Sequence, residues 1–210
     1  MSRNTTSLAL LLLTFSVSSV AQLNLTNGAD INMNGSDGSQ IIFPDGSTMD
    51  TAPGNGSIPD GHGGTSNTVS GTDAFIGGGN SNSTDGTSAV IGGGSTNAAL
   101  NNYTTVAGGN GNVASATNSS IVGGSANQAS GDLSSIGGGS NNRSKANSTA
   151  VGGGANNQAT TQFDTVAGGF QNIAGGSGLA AIGGGGYNTI TGFYSTIGGG
   201  SNNTISASYG

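Results

Sequence analysis

The sequence predicts an all-β fold, a parallel β-solenoid or β-roll of about nine 15-residue coils. An aliphatic residue followed by a small residue, most often glycine, recurs every 15 residues, with one 16-residue step from Val166 to Ile182. An asparagine recurs six residues after each aliphatic residue. The chain has 43 Gly, no Cys, no Trp and 6% charged residues, a composition unlike that of an ordinary packed core. A fixed internal period of this kind indicates stacked structural repeats.

Residues 1–21 have the features of a secretory signal peptide. Arg3 gives the start a positive charge, the run LALLLLTFSV is apolar, and Ser19 and Ala21 form the small-x-small pattern before a cleavage site. We expect cleavage after Ala21, so that the remaining chain is secreted or displayed at the cell surface. The alternative is an uncleaved N-terminal anchor, which the shortness of the apolar run disfavours.

Residues 22–70 form a leader that does not repeat. QIIF, beginning at Gln40, is followed by Pro44, Asp45 and Gly46, which favour a tight turn because proline fixes φ and glycine accepts a positive φ. The leader is therefore predicted to contain a hairpin. A Gly/Ser/Asp-rich stretch after the hairpin is predicted to be a linker.

Residues 71–210 contain nine copies of the repeat unit, in which two columns define the register. The Ile column consists of Ile76, Ile91, Val106, Ile121, Ile136, Val151, Val166, Ile182 and Ile197. The Asn column consists of Asn82, Asn97, Asn112, Asn127, Asn142, Asn157, Asn172, Asn188 and Asn203. A position that is always Asn predicts a structural ladder of stacked amides, and Asn also tolerates a left-handed backbone in a tight turn.

Alternation within the unit predicts two short strands per coil. A small residue lies two positions before each Ile, and another small or aliphatic residue lies two positions after each Asn. Residues two apart share one face of a strand, so both pairs are predicted to face the interior. The glycines after the Ile are predicted to form the turn between the strands.

The predicted interior is thin, because each coil supplies only one or two aliphatic side chains. Ordering the backbone costs about 1–2 kcal/mol per residue, so side-by-side association of several chains is expected to add burial. The position three before the Ile is a candidate contact, although scattered surface apolar residues would need no such explanation. It is apolar in five copies, at Tyr103, Leu133, Phe163, Leu179 and Tyr194.

The composition disfavours catalysis, cofactors and nucleic acid. His62 is the only histidine, which argues against a catalytic triad or a multi-histidine metal site within one chain. No Asp recurs at the 15-residue register, unlike the calcium-binding nonapeptide rolls. The net charge of −6 leaves no basic patch for phosphates. We therefore predict no catalytic, cofactor-binding or metal residues.

The units YSTIGGGSNNTISASYG, TAVGGGANNQAT and SSIGGGSNNRSK resemble the head repeats of trimeric autotransporter adhesins, the YadA-like heads. The resemblance covers residues 71–210. It departs from the family pattern in its extra glycines and in Asn where those heads carry Ala. It implies a left-handed β-roll, a homotrimer, and display outside the cell for attachment to a protein or glycan ligand. An outer-membrane location would follow if the full-length protein carries a C-terminal anchor.

The sequence thus predicts a non-enzymatic adhesin head fragment, which we expect to be part of a longer protein. One alternative is a structural fibre or spacer, of matrix or phage-fibre type, without a specific ligand. An ice-binding solenoid is disfavoured, because the column before the Ile is too mixed for a flat threonine lattice. That column reads Phe75, Val90, Thr105, Ser120, Ser135, Ala150, Thr165, Ala181 and Thr196.

Overall fold

The computed structural model describes residues 40–42, 48–50 and 66–210. Strands β1 (Gln40–Ile42) and β2 (Thr48–Asp50) pair antiparallel, with Gln40 opposite Asp50, where the sequence predicts the leader hairpin. The predicted signal peptide, the hairpin turn at 44–46 and His62 lie outside the described residues.

Residues 66–210 form a parallel β-solenoid of about nine turns, as predicted, and no helix occurs in this range. Each strand has two residues. In chain order they are β3 (Thr68–Val69), β4 (Phe75–Ile76), β5 (Ser83–Thr84), β6 (Val90–Ile91), β7 (Ala98–Ala99), β8 (Thr105–Val106), β9 (Val113–Ala114), β10 (Ser120–Ile121), β11 (Gln128–Ala129), β12 (Ser135–Ile136), β13 (Arg143–Ser144), β14 (Ala150–Val151), β15 (Gln158–Ala159), β16 (Thr165–Val166), β17 (Ile173–Ala174), β18 (Ala181–Ile182), β19 (Thr189–Ile190), β20 (Thr196–Ile197) and β21 (Thr204–Ile205).

The strands alternate between two parallel sheets. Even-numbered strands from β4 to β20 form a nine-stranded Ile sheet, and odd-numbered strands from β3 to β21 form a ten-stranded Ala sheet. Each strand pairs with its equivalent one coil away, so that Ile121 lies beside Ile136 and Ala129 beside Ser144. Strands one coil apart are therefore stacked at the usual spacing of about 4.8 Å.

A third ladder, which the sequence analysis did not predict, runs between the two sheets. In each coil one residue forms an isolated parallel bridge with its equivalents in the neighbouring coils. The bridge residues are Asn80, Ser95, Asn110, Ser125, Ser140, Ala155, Phe170, Gly186 and Ser201. The backbone is thus tied to its neighbours on three lines rather than two.

The core lies between the sheets and is built from one branched side chain and several small ones per coil. Ile136 and Ala159 are among the fully buried residues of a single apolar cluster. Some interior polar residues form hydrogen bonds: the buried Ser144 hydroxyl lies 2.9 Å from the Thr149 carbonyl and 2.7 Å from the Thr149 hydroxyl. The buried Thr84 and Ser134 hydroxyls have no hydrogen-bond partner. Small interior side chains let the two sheets approach closely, which is how 15 residues can close one coil.

Two turns connect the strands of each coil. The glycine turn, residues 137–141 in the coil that begins at Ile136, leads from the Ile sheet to the Ala sheet. The open turn, residues 145–149 in that coil, leads back. Each contains a non-glycine residue with a left-handed backbone, Asn141 at φ 56° and Ser148 at φ 57°. The left-handed residue therefore precedes the Asn column, and the prediction that the column itself takes this conformation is wrong.

The single 16-residue coil carries its extra residue in the open turn between β17 and β18. In a regular coil, the N–H of Thr149 donates to the Ala146 carbonyl at 3.3 Å to close this turn. In the longer coil, the equivalent N–H of Ala180 donates instead to a carboxylate oxygen of the buried Asp164 at 3.0 Å. Asp164 also accepts the N–H of Thr161 at 2.7 Å. A side chain thus replaces a backbone acceptor where the chain is longer.

Candidate functional site

The Ile column lies in the interior and is not available to a ligand. All nine members are buried, from Ile76 and Ile197 at 6% exposure to Val106 at 0%. They project from the Ile sheet toward the alanines of the Ala sheet and form most of the apolar cluster. Their role is to hold the coils closed.

The Asn column clamps the glycine turns. Nδ2 of Asn142 donates to the carbonyls of Gly138 at 2.8 Å and Gly154 at 2.9 Å. Its Oδ1 accepts the backbone N–H of Asn157 at 2.9 Å, and its own N–H donates to Oδ1 of Asn127 at 2.9 Å. One side chain therefore bonds its own coil and the next, while its backbone bonds the coil before.

This ladder differs from the predicted stack of amides. Most of its bonds join a side chain to a backbone group: in the Asn142 coil, for example, Nδ2 donates to two glycine carbonyls and Oδ1 accepts the backbone N–H of the next Asn. Direct amide-to-amide bonds occur at three steps: Asn82 to Asn67, Asn188 to Asn172 and Asn203 to Asn188.

The first rung of the ladder is Asn67, which precedes the predicted Asn column. Asn67 accepts the N–H of Asn82 on its Oδ1 at 2.9 Å and donates from Nδ2 to the Gly79 carbonyl at 3.0 Å. The Ala sheet also begins at Thr68, before the predicted repeat boundary at residue 71. Counting back 15 residues from Asn82 identifies this Asn without the structure.

The Ile column is buried, and so is the Asn column except for Asn203, so the side chains available to other molecules are those that point outward. The open turns display one line of large apolar residues, called here the aromatic column. Its members have left-handed backbones and exposed side chains. They are Tyr103, Leu133, Phe163, Leu179, Tyr194 and Tyr209, with exposures between 38% and 79%. The rings of Tyr194 and Tyr209 are stacked, with centroids 5.7 Å apart.

A second outward feature is a groove of about 390 Å³ along the outer face of the Ala sheet. On one side lie the first residues of four neighbouring strands of the Ala sheet: Arg143, Gln158, Ile173 and Thr189. On the other side lie the left-handed residues of three successive glycine turns: Asn156, Gln171 and Tyr187.

The side chains of the groove are held from outside it. Nζ of Lys145 donates to Oε1 of Gln158 at 2.8 Å, and Nδ2 of Asn141 donates to Oδ1 of Asn156 at 2.6 Å. The ring of Tyr187 packs edge-on against Phe170, with centroids 5.4 Å apart and an interplanar angle of 79°. Three of the groove side chains, Asn156, Gln158 and Tyr187, therefore have a partner within the protein.

In the part of the chain that the structure describes, no group of three His, Cys, Asp or Glu side chains is arranged to hold a metal ion. Nor does any helix among those residues have the length and apolarity to cross a membrane.

Comparison of the chain with protein-family models and with curated proteins gives no match.

Proposed function

We propose that this protein is a non-enzymatic extracellular rod, an adhesin head fragment that mediates attachment to surfaces or to matrix ligands. The observation that carries the proposal is the aromatic column: six apolar side chains lie exposed at equivalent turn positions of the solenoid. A surface line of this kind is typical of an interaction site. The predicted signal peptide supports export, and the likeness of the repeats to YadA-like heads supports attachment.

The proposal includes a homotrimer of left-handed rolls. A coil whose interior holds one branched residue and several small ones buries little apolar surface for its length. Three chains packed side by side along their aromatic columns would add that burial. They would also multiply weak contacts to a ligand, because three linked sites bind with avidity.

The oligomeric state can be tested with the full chain after removal of residues 1–21. We expect sedimentation to show a trimer, and we expect the triple variant Tyr103→Asn, Leu133→Asn and Phe163→Asn to sediment as a monomer. Asn suits these positions because it tolerates a left-handed backbone. Thr105→Ala, on the outer face of the Ile sheet, is the matched control and should remain trimeric. A stable, cooperatively folded monomer of the parent chain would contradict the trimer.

Attachment needs a separate measurement. Beads coated with the parent chain should bind saturably to immobilised matrix proteins or glycans, and beads coated with the triple variant should bind less.

A spacer without a ligand is the second candidate, favoured by the near-identity of successive coils. Failure of a folded parent trimer to bind any of these surfaces would select the spacer.

A further inference from the structure

We propose that the groove on the Ala sheet binds an acidic oligosaccharide, a short sugar chain that bears carboxylates. This inference names a ligand class for the proposed attachment function and rests on it. The site is distinct from the aromatic column, because the groove lies beside the glycine turns and the column lies on the open turns.

The groove departs from the repeat, which indicates a local role rather than a general one. The left-handed position of the glycine turn holds Ser81, Thr96, Gly111 and Ala126 in earlier coils, and Tyr187 is its only ring among the described coils. The bridge column likewise holds small or polar residues except at Phe170, which supports the ring of Tyr187. Tyr187 lines one end of the groove, and Phe170 contacts its ring there.

Arg143 supplies the positive charge. It is one of three Lys and Arg residues in a chain of net charge −6. Within residues 66–210 its guanidinium has no hydrogen bond or ion pair to another side chain, and it faces the groove. A guanidinium presents a planar fork of donors that matches a carboxylate. A carboxylate of an acidic ligand would therefore give the half-buried Arg143 guanidinium an ion-pair partner, which no side chain of the protein provides.

Tyr187 supplies an apolar platform. Its side chain is 53% exposed, and the edge-on contact with Phe170 fixes the plane of the ring. One face of a sugar ring presents C–H groups, which pack on an aromatic face while the phenol and the sugar hydroxyls stay hydrated. The exposed Ile173 extends this apolar floor toward Arg143.

The amides suit sugar hydroxyls. Asn156, Gln158 and Gln171 line the groove in two successive coils, and each amide offers both donors and an acceptor. Sugar hydroxyls also donate and accept, so they can pair with amides in several orientations. Because the coils are about 4.8 Å apart, these groups form rungs along the rod axis that a linear chain of sugars can follow.

Other extended ligands fit less well. A peptide that binds a sheet by strand addition needs free backbone groups, but the strands under the groove bond to coils on both sides. A nucleic acid needs several cations to neutralise its phosphates, and the groove has one guanidinium with Lys145 beside it.

The test is calorimetric titration of the full chain with tetragalacturonate, and with its methyl ester as a neutral ligand of the same rings. We expect the acid to bind at least tenfold more tightly than the ester, because only the acid pairs Arg143. Arg143→Gln should remove about tenfold of the affinity for the acid and leave the ester unchanged. Arg143→Lys should lie between the two, because it keeps the charge and loses the fork.

Matched controls separate the groove from net charge and from general aromatic stickiness. Thr105→Asp, on the exposed outer face of the Ile sheet, makes the same change in net charge as Arg143→Gln but lies outside the groove, so it should change affinity less than about threefold. Tyr187→Asn should weaken both ligands about fivefold, whereas Phe75→Asn, which removes an exposed ring from the outer face of the Ile sheet, should weaken neither. Circular dichroism melts establish that each variant is folded.

Three outcomes would overturn the inference: no binding of tetragalacturonate, equal binding of acid and ester, or equal loss in the groove variants and their controls. The experiments distinguish failure of this inference from failure of the proposed attachment function. A chain that attaches to surfaces but ignores tetragalacturonate keeps the proposed function and loses this site. A chain that binds the sugar through Arg143 but attaches to nothing keeps the site and loses the function.

Discussion

The glycine turn and the open turn both reverse the chain within a few residues, but they are stabilised differently. In the glycine turn a buried Asn side chain bonds two carbonyls of consecutive turns, as Asn142 does with Gly138 and Gly154. The open turn relies mainly on backbone bonds, such as that from Ser148 to Asp132 at 2.8 Å. The buried Asn side chain thus occupies the inside of the glycine turn, whereas the open turn is exposed to solvent.

Sequence variation follows this difference. The Asn that holds the glycine turn never varies along the chain, whereas no position of the open turn keeps one residue type in every coil. The one extra residue of the chain also lies in an open turn, where Asp164 supplies the missing acceptor. A turn held mainly by backbone bonds can change its side chains and its length, and is therefore free to carry surface contacts.

The largest effect is expected from changing turn length. One glycine inserted between Gly138 and Gly139 should shift the carbonyls away from Asn142 and displace the strand that follows by one residue, which reverses its faces. We expect a loss above about 4 kcal/mol or no cooperative folding. One glycine inserted between Asn147 and Ser148 should cost about 1 kcal/mol, because a longer exposed loop adds little entropy. Chemical denaturation gives both values, and equal costs would refute the contrast between the turns.

Two neighbouring glycines provide the next comparison. Gly154 has φ 81°, and a methyl group there would clash with the Gly169 carbonyl oxygen, whereas a methyl group at Gly153 would meet nothing within 4 Å. Gly154→Ala should cost more than about 3 kcal/mol, since strain and backbone displacement add. Gly153→Ala should change stability by less than about 1 kcal/mol. Thermal melts of the two variants and the parent check this order. If Gly153→Ala were the more destabilising change, Gly154 would not be the glycine that lies against the next coil.

The third largest loss of stability is expected from removing one side chain of the Asn column. Asn142→Ala deletes three side-chain hydrogen bonds and leaves buried backbone groups unpaired, so we expect a loss of roughly 3 kcal/mol, about 1 kcal/mol per bond. Asn147→Ala, in the exposed open turn of the same coil, should stay within about 0.5 kcal/mol of the parent. Urea titrations of both variants give the difference. If Asn142→Ala proves as stable as Asn147→Ala, the Asn column does not hold the coils together.

The smallest effect on folding is expected at the aromatic column. Tyr103→Asn removes an exposed ring and places a residue that tolerates the left-handed backbone, so the stability of a single chain should change by less than about 0.5 kcal/mol. Thermal melting under conditions that keep the chain monomeric measures the stability of the single chain without any contribution from association. A large loss there would show that the ring stabilises its own coil and is not reserved for contact with other molecules.

The sequence by itself determined the period, the two strands of each coil and the inward direction of the Ile and Asn columns. These features follow from residue spacing within one unit, where alternation decides which side chains share a face. Residues such as Ile136 and Asn142 could therefore be assigned to the interior before any coordinates were available.

Tertiary structure alone decided what happens between units. Bonds from Asn142 to Gly154, the close approach of Gly154 to Gly169, and the ladder of bridge residues all join atoms about 12 to 15 positions apart in the sequence. Which glycine is crowded, and which residue of a turn is left-handed, depends on how one coil sits on the next. The groove has the same origin: Arg143, Gln171 and Tyr187 meet only because stacking brings successive coils within side-chain reach.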